Sequence, residues 1–166
     1  MASAALESGG RSARGTTGEA GMKHWVRNVA AVVAGLVVGS VVNMAIVAAG
    51  PALVPPPAGV DTTTAEGLAA GIHLFQPKHF LSPFLAHALG TLAGAFVAFL
   101  VAGSRKAAFA WTIGVLFLAG GIAAAVMIPA PAWFIALDLL LAYLPMAWLA
   151  ILVGRRLSAS GARADA

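Results

Sequence analysis

Apolar residues in this chain do not alternate in twos, and they do not gather into one helical stripe with a charged face opposite; they fill whole runs. Val29 to Gly50 is interrupted only by Ser40 and Asn43, Pro83 to Ala102 only by His87 and Thr91, and Ala107 to Ile128 only by Thr112. Trp133 to Val153 is interrupted only by Asp138, Tyr143 and Pro145. Each run matches the roughly 20 residues that a helix needs to cross about 30 Å of hydrocarbon. With their flanks the predicted spans are 27–50, 83–103, 107–128 and 133–153. The first run also exceeds the about 7 to 15 residues of a signal-peptide core, which favours a span over a cleaved leader.

The predicted fold is therefore all-α: an integral membrane four-helix bundle with a short extracytoplasmic amphipathic helix between the first two spans. Four-residue links, Gly103–Lys106 and Pro129–Ala132, make the last three spans antiparallel neighbours. The long connection, residues 51–82, is the outer loop. Its Pro55-Pro56-Pro57 stretch is stiff and extended. Thr63 and Glu66 follow at capping-box spacing, and Leu68, Ile72 and Phe75 then recur at helical intervals up to Pro77, as in a short helix on the membrane surface. Residues 1–22 carry almost no large apolar side chain beyond Leu6 and two Met, and 157–166 only Leu157; the first reads as a flexible tail and the second as a short one, flanking a membrane domain over 23–156.

Composition confirms the class of environment. Of 166 residues, 60% are hydrophobic and only 10% charged, far below the about 25% of a soluble domain. With no cysteine, disulfide frameworks and thiolate metal sites are excluded. The net charge of +4 does not indicate nucleic acid, because the basic residues flank the apolar runs. Arg11, Arg14, Lys23, Arg27, Arg105, Lys106, Arg155, Arg156 and Arg163 share one side of the bilayer and Lys78 lies on the other, which places both termini in the cytoplasm. Trp25 and Trp111 fall at the inner edge, and Phe80, Phe84, Trp133 and Phe134 at the outer one.

Lipid gives helices no hydrophobic reason to associate, so small residues must let backbones approach. Gly35 and Gly39 line one face of the first span, Gly90 and Gly94 one face of the second, and Gly114 and Gly121 one face of the third. These stripes serve packing within one chain, and a leftover stripe is what a second copy or another membrane protein would use. In the fourth span Pro145 removes a backbone hydrogen bond near mid-membrane and should bend the helix or free a carbonyl.

Ionisable groups are costly in hydrocarbon, about 2.5 to 3.5 kcal/mol at the helix centre, and need partners or water. Counting at 1.5 Å per residue from the outer end, His87 lies about 6 Å deep, Asp138 about 8 Å and Asn43 about 10 Å. Asn43, His87 and Asp138 are thus a candidate polar layer beneath the outer surface, and Tyr143 of the fourth span is counted with them as a candidate polar intramembrane residue. It serves either as interhelical hydrogen bonding that sets register or as a hydrated site for a proton, a cation or a small solute. No metal site is expected: His73, His79, His87 and Asp138 lack an HExxH-type spacing. There is no nucleophile elbow, phosphate loop or reactive cysteine, Ser82 reads as a helix cap, and no cofactor is implied.

Four stretches carry a resemblance: Pro55–Asp61, His73–Phe80, Ala86–Gly90 and Pro129–Phe134. Together they resemble an uncharacterised family of small four-span bacterial inner-membrane proteins, over about residues 23–153. The resemblance implies a multi-pass protein of the bacterial plasma membrane and supplies no activity. The arginine-rich intramembrane motif of four-helix glutathione-dependent enzymes is missing from the sequence. Three functional classes follow: a non-enzymatic protein binding or passing a small solute or proton, a scaffold packing through its glycine stripes, and an embedded enzyme using His87 and Asp138 as acid and base.

Overall fold

The computed structural model describes the backbone of residues 3–164 and the side chains of residues 23–160. Six α-helices follow in order: α1 (Ser3–Leu53), α2 (Ala65–Gly71), α3 (Leu81–Val101), α4 (Lys106–Met127), α5 (Ala132–Leu141) and α6 (Leu144–Ala164). Short 3₁₀ turns at Ile72–Leu74 and Pro77–Phe80 connect α2 to α3. Among the described residues, four segments are long and apolar enough to cross a bilayer: Lys23–Leu53, Pro77–Val101, Lys106–Met127 and Ala132–Ser160, the last made of α5 and most of α6. The expected tail over residues 1–22 lies outside the described side chains.

The bundle is packed as lipid requires, with small residues inside and large ones outside. Ala95, Ala98, Ala110, Ala147 and Ala150 are fully buried around Phe99, Ile113 and Ile151, where α3, α4 and α6 meet. Val33, Val37, Val41 and Met44 of α1 face outward instead. In water this arrangement would be unstable; in hydrocarbon the outward valines lose nothing, and the inward alanines and glycines gain close van der Waals contact.

That closeness is greatest between α1 and α3. A Cβ built on Gly35 would lie 2.8 Å from the Gly94 carbonyl oxygen, and one on Gly94 would lie 2.6 Å from that of Gly35. Gly39 and Gly90 repeat the relation one turn away, at 2.8 and 2.9 Å. On α4, Gly114 abuts Ala147, and Gly121 abuts the Tyr143 ring. A Cβ at any of these six glycines would thus come closer than 3.0 Å to an atom of another span of this chain.

One end of the bundle is basic and is tied by Asn28. Its amide oxygen accepts from the backbone N–H of Gly103 (3.0 Å) and Ser104 (3.2 Å), and its nitrogen donates to the Ser104 hydroxyl at 3.0 Å. Arg27 donates to the Val101 carbonyl at 3.3 Å. These bonds hold the Lys23 end of the first apolar span against the α3–α4 turn, where Arg105 adopts the left-handed region at φ 45°.

The opposite end carries the long loop, and two expectations need correction there. The cap of α2 is Thr64, which accepts from the Gly67 N–H at 3.0 Å. Thr63 is taken by Asp61, whose carboxylate accepts its N–H at 2.8 Å and its hydroxyl at 2.6 Å. Asp61 also receives the Thr64 hydroxyl at 3.1 Å, orienting the cap, so Glu66 has no capping-box role. Ser82 does not cap α3, because the preceding 3₁₀ turn runs directly into the helix. Its hydroxyl donates to the Ile46 carbonyl of α1 at 3.2 Å and lies against Gly50.

The Asp61 carboxyl is held below its ordinary value of 3.8, first by the Thr63 hydroxyl bond, then by the Thr63 N–H and the Thr64 hydroxyl. A carboxylate whose folded value is depressed stabilises above the unfolded value and loses that contribution as pH falls through the folded one. Amide-exchange protection at Thr63 and Gly67 is therefore expected to hold above about pH 4 and to collapse below it, while the spans stay protected. Uniform loss across the chain would contradict this.

Candidate functional site

The site originates in a broken helix. Proline at 145 has no N–H for the Leu141 carbonyl, and its ring crowds that oxygen. α5 accordingly stops at Leu141, closed by an Ala142 N–H to Asp138 carbonyl bond at 2.9 Å. α6 starts again at Leu144, and the Ala147 N–H reaches the Tyr143 carbonyl at 2.9 Å. In an unbroken helix, positions five apart point about 140° away from each other. Across the break they converge: the Tyr143 hydroxyl donates to Asp138 Oδ2 at 2.9 Å.

From α3, His87 approaches the same carboxylate, its Nδ1 lying 2.9 Å from both Oδ1 and Oδ2. An ionised carboxylate has only lone pairs to offer, so Nδ1 is the donor and Nε2 remains the second, uncommitted ring nitrogen. The His87 and Tyr143 rings stack at 5.7 Å and 28°. Asp138 is 5% exposed and Tyr143 2%, while the His87 side chain keeps 26% of its surface open. Room for the phenol comes from Gly121 of α4, where any Cβ would overlap the ring.

Three of the four predicted polar residues therefore meet: His87, Asp138 and Tyr143. Asn43 does not join them; it is half-buried against Gly90 and lines a second space of about 200 Å³. Ser40, Met44, Phe117, Gly120 and Tyr143 border that space, and His87, Gly121 and Ala124 belong to both it and the main cavity. Asn43 packs at the level of Gly90, three residues along α3 from His87.

The main cavity, about 240 Å³, lies between the loop ends of α3, α4 and α5. Leu68, Ile72 and Phe75 roof it, so the apolar face of α2 and the following turn covers this cavity. Phe80 and Phe134 form a wall with ring centroids 4.7 Å apart, buttressed by Trp133 at 5.5 Å from Phe80. His79 stands at the edge; its Nδ1 is 2.9 Å from the Gln76 backbone nitrogen, and its ring packs edge-on to Phe75 at 5.2 Å. His87 and Asp138 are the polar groups in the depth of this apolar chamber. Among the described residues, no three His, Asp or Glu side chains come together as metal ligands.

Comparison with protein-family models, curated proteins and solved structures returns no match for this chain. The geometry defines it as a multi-pass, all-helical membrane protein with a hydrogen-bonded His–Asp–Tyr cluster facing an apolar cavity.

Proposed function

We propose that this protein binds a small solute in the cavity beneath α2, with the cluster of His87, Asp138 and Tyr143 as its polar anchor. The observation that carries the reading is the nearly buried Asp138 carboxylate, bonded to His87 and Tyr143 and bordering a chamber that is apolar apart from His87 and, at its edge, His79. Ionisable residues inside membranes mark solute or proton paths by default, and pockets with apolar walls and a few converging polar groups are the usual form of ligand sites. The chamber is smaller than the about 300 Å³ at which pockets for drug-sized molecules begin, which favours a ring-sized ligand.

The distribution of basic residues supports both termini in the cytoplasm, and with the resemblance noted above it supports a bacterial inner membrane, the cavity then opening on the outer side. Scaffolding through glycine stripes is less well supported, because Gly35 and Gly39 are covered by Gly94 and Gly90. An enzymatic role has no defined substrate pose to rest on.

Filling the chamber tests the reading. Ala125 borders the cavity and not the Asp138 bonds, so Ala125→Phe should leave the cluster intact and close the space. Thermal unfolding in detergent is then followed with benzyl alcohol, benzoate and benzyltrimethylammonium. A bound member at 100 times its Kd should stabilise the wild type by about 2.7 kcal/mol and the filled variant not at all. Equal shifts in both proteins, or none in either, would remove the proposal.

A further inference from the structure

We infer that the solute is a small organic cation and that it exchanges with a proton on His87, an inference that rests on the cavity being a binding site. The argument begins with charge. When the imidazole is neutral, the cluster carries the single negative charge of Asp138, because the tyrosine hydroxyl donates without ionising. A charge in apolar surroundings needs a counter-charge nearby. Among the described residues no lysine or arginine borders the chamber; α1 contributes Val47, and α4 with its C-cap contributes Gly121, Ala124, Ala125 and Ile128. The titratable groups facing Asp138 are His87 from α3 and Tyr143 from the helix break, with His79 at the cavity edge.

Two species can then neutralise the carboxylate: a proton on Nε2 of His87, or a cation in the chamber. They serve one negative charge and therefore compete. Entry of the cation leaves His87 neutral, the Nε2–H bond breaks, and that proton passes to water, so charge is conserved across the exchange. The walls fit this cargo, since Phe75, Phe80 and Phe134 line the chamber, and the face of an aromatic ring attracts ammonium groups. An anion would meet like charge, and a neutral alcohol would gain one hydrogen bond while leaving the carboxylate uncompensated. The phosphate beside a choline or ethanolamine headgroup would also meet like charge, which favours a free ammonium over a lipid.

The test uses the full chain purified in maltoside detergent and titrated by calorimetry with benzyltrimethylammonium, benzyl alcohol and benzoate. The cation is expected to bind most tightly, with affinity rising about tenfold per pH unit over the range in which His87 of the empty protein is protonated, the slope of a one-proton exchange. Repeating the titration in buffers of different ionisation enthalpy should count up to one proton released. Asp138→Asn should weaken the cation by about a hundredfold. His87→Gln, whatever its affinity, should abolish the pH slope, and it carries the test if the Asp138 variant does not fold.

Preference for the alcohol or benzoate would overturn the cation inference and leave the cavity reading standing. Cation binding indifferent to pH in the wild type would overturn the exchange. Displacement of the probe by dihexanoylphosphocholine would assign the cation to a lipid headgroup and overturn the free solute. Failure of all three probes to bind would end both readings together.

Discussion

Gly94→Leu is expected to destabilise the bundle by about 3 kcal/mol, the upper part of the range for overpacking a core. The reason lies in what the new side chain would meet. A Cβ at this position would approach the Gly35 carbonyl oxygen to 2.6 Å and the Gly39 Cα to 3.2 Å, both backbone atoms of a packed helix. A flexible neighbour can swing aside, but a helix backbone can yield only by moving as a body. α1 would have to withdraw from α3, weakening the reciprocal contact of Gly39 with Gly90 one turn away. Gly120→Leu is the matching control, since a Cβ there meets nothing within 4 Å. Both helices also lose a glycine, so the propensity gain is common to the two variants and the difference isolates packing. Denaturant titration of the two proteins in the same detergent measures it, and indistinguishable midpoints would show that the α1–α3 seam contributes little.

The glycine faces were legible in the sequence because a spacing of four residues marks one side of a helix, whatever that side touches. Which faces meet was not, since pairing Gly35 with Gly94 depends on the vertical register of two spans joined by a long loop. Span positions were legible for a simpler reason: length and hydropathy suffice when the surrounding solvent is hydrocarbon. The fourth span shows the limit. Pro145 announced a disturbance, but the alignment of Asp138 with Tyr143 depends on where the chain restarts after the break.

Depth counting brought His87 and Asp138 to one level, and they do bond. It could not say that Asn43 would face the neighbouring space. Asn28 went unnoticed because its partners, Gly103 and Ser104, are more than seventy residues away and become adjacent only when α1 lies along α3. An asparagine at the edge of an apolar run, opposite a glycine-containing turn, is the signal that would have found it. The cavity had no linear signature, because its walls come from five helices and both 3₁₀ turns.

Asp138→Ala is expected to cost about 2 to 4 kcal/mol in stability, and its sharper use is in comparison with a triple substitution. The single variant removes the acceptor and leaves two donors behind: the hydroxyl of Tyr143, 2% exposed, and the Nδ1 of His87. Orphaned donors in a nearly dry core cost about 1 to 3 kcal/mol each, more than the about 0.6 kcal/mol typical of a hydrogen bond deleted between membrane helices. Desolvation decides this case, because Tyr143 is nearly buried and its ring is packed against Gly121. Removing all three polar groups together, as Asp138→Leu with His87→Phe and Tyr143→Phe, leaves no orphan. Buried ionic clusters replaced by apolar groups of similar size are often neutral or stabilising, by about 1 to 4 kcal/mol. The triple variant should therefore be at least as stable as the wild type while binding no solute. A cluster whose complete removal strengthens the fold cannot be explained as a packing device, and its retention then points to the cavity it faces. If the triple variant is instead weaker than Asp138→Ala, the three residues are structural, and the binding proposal loses its anchor.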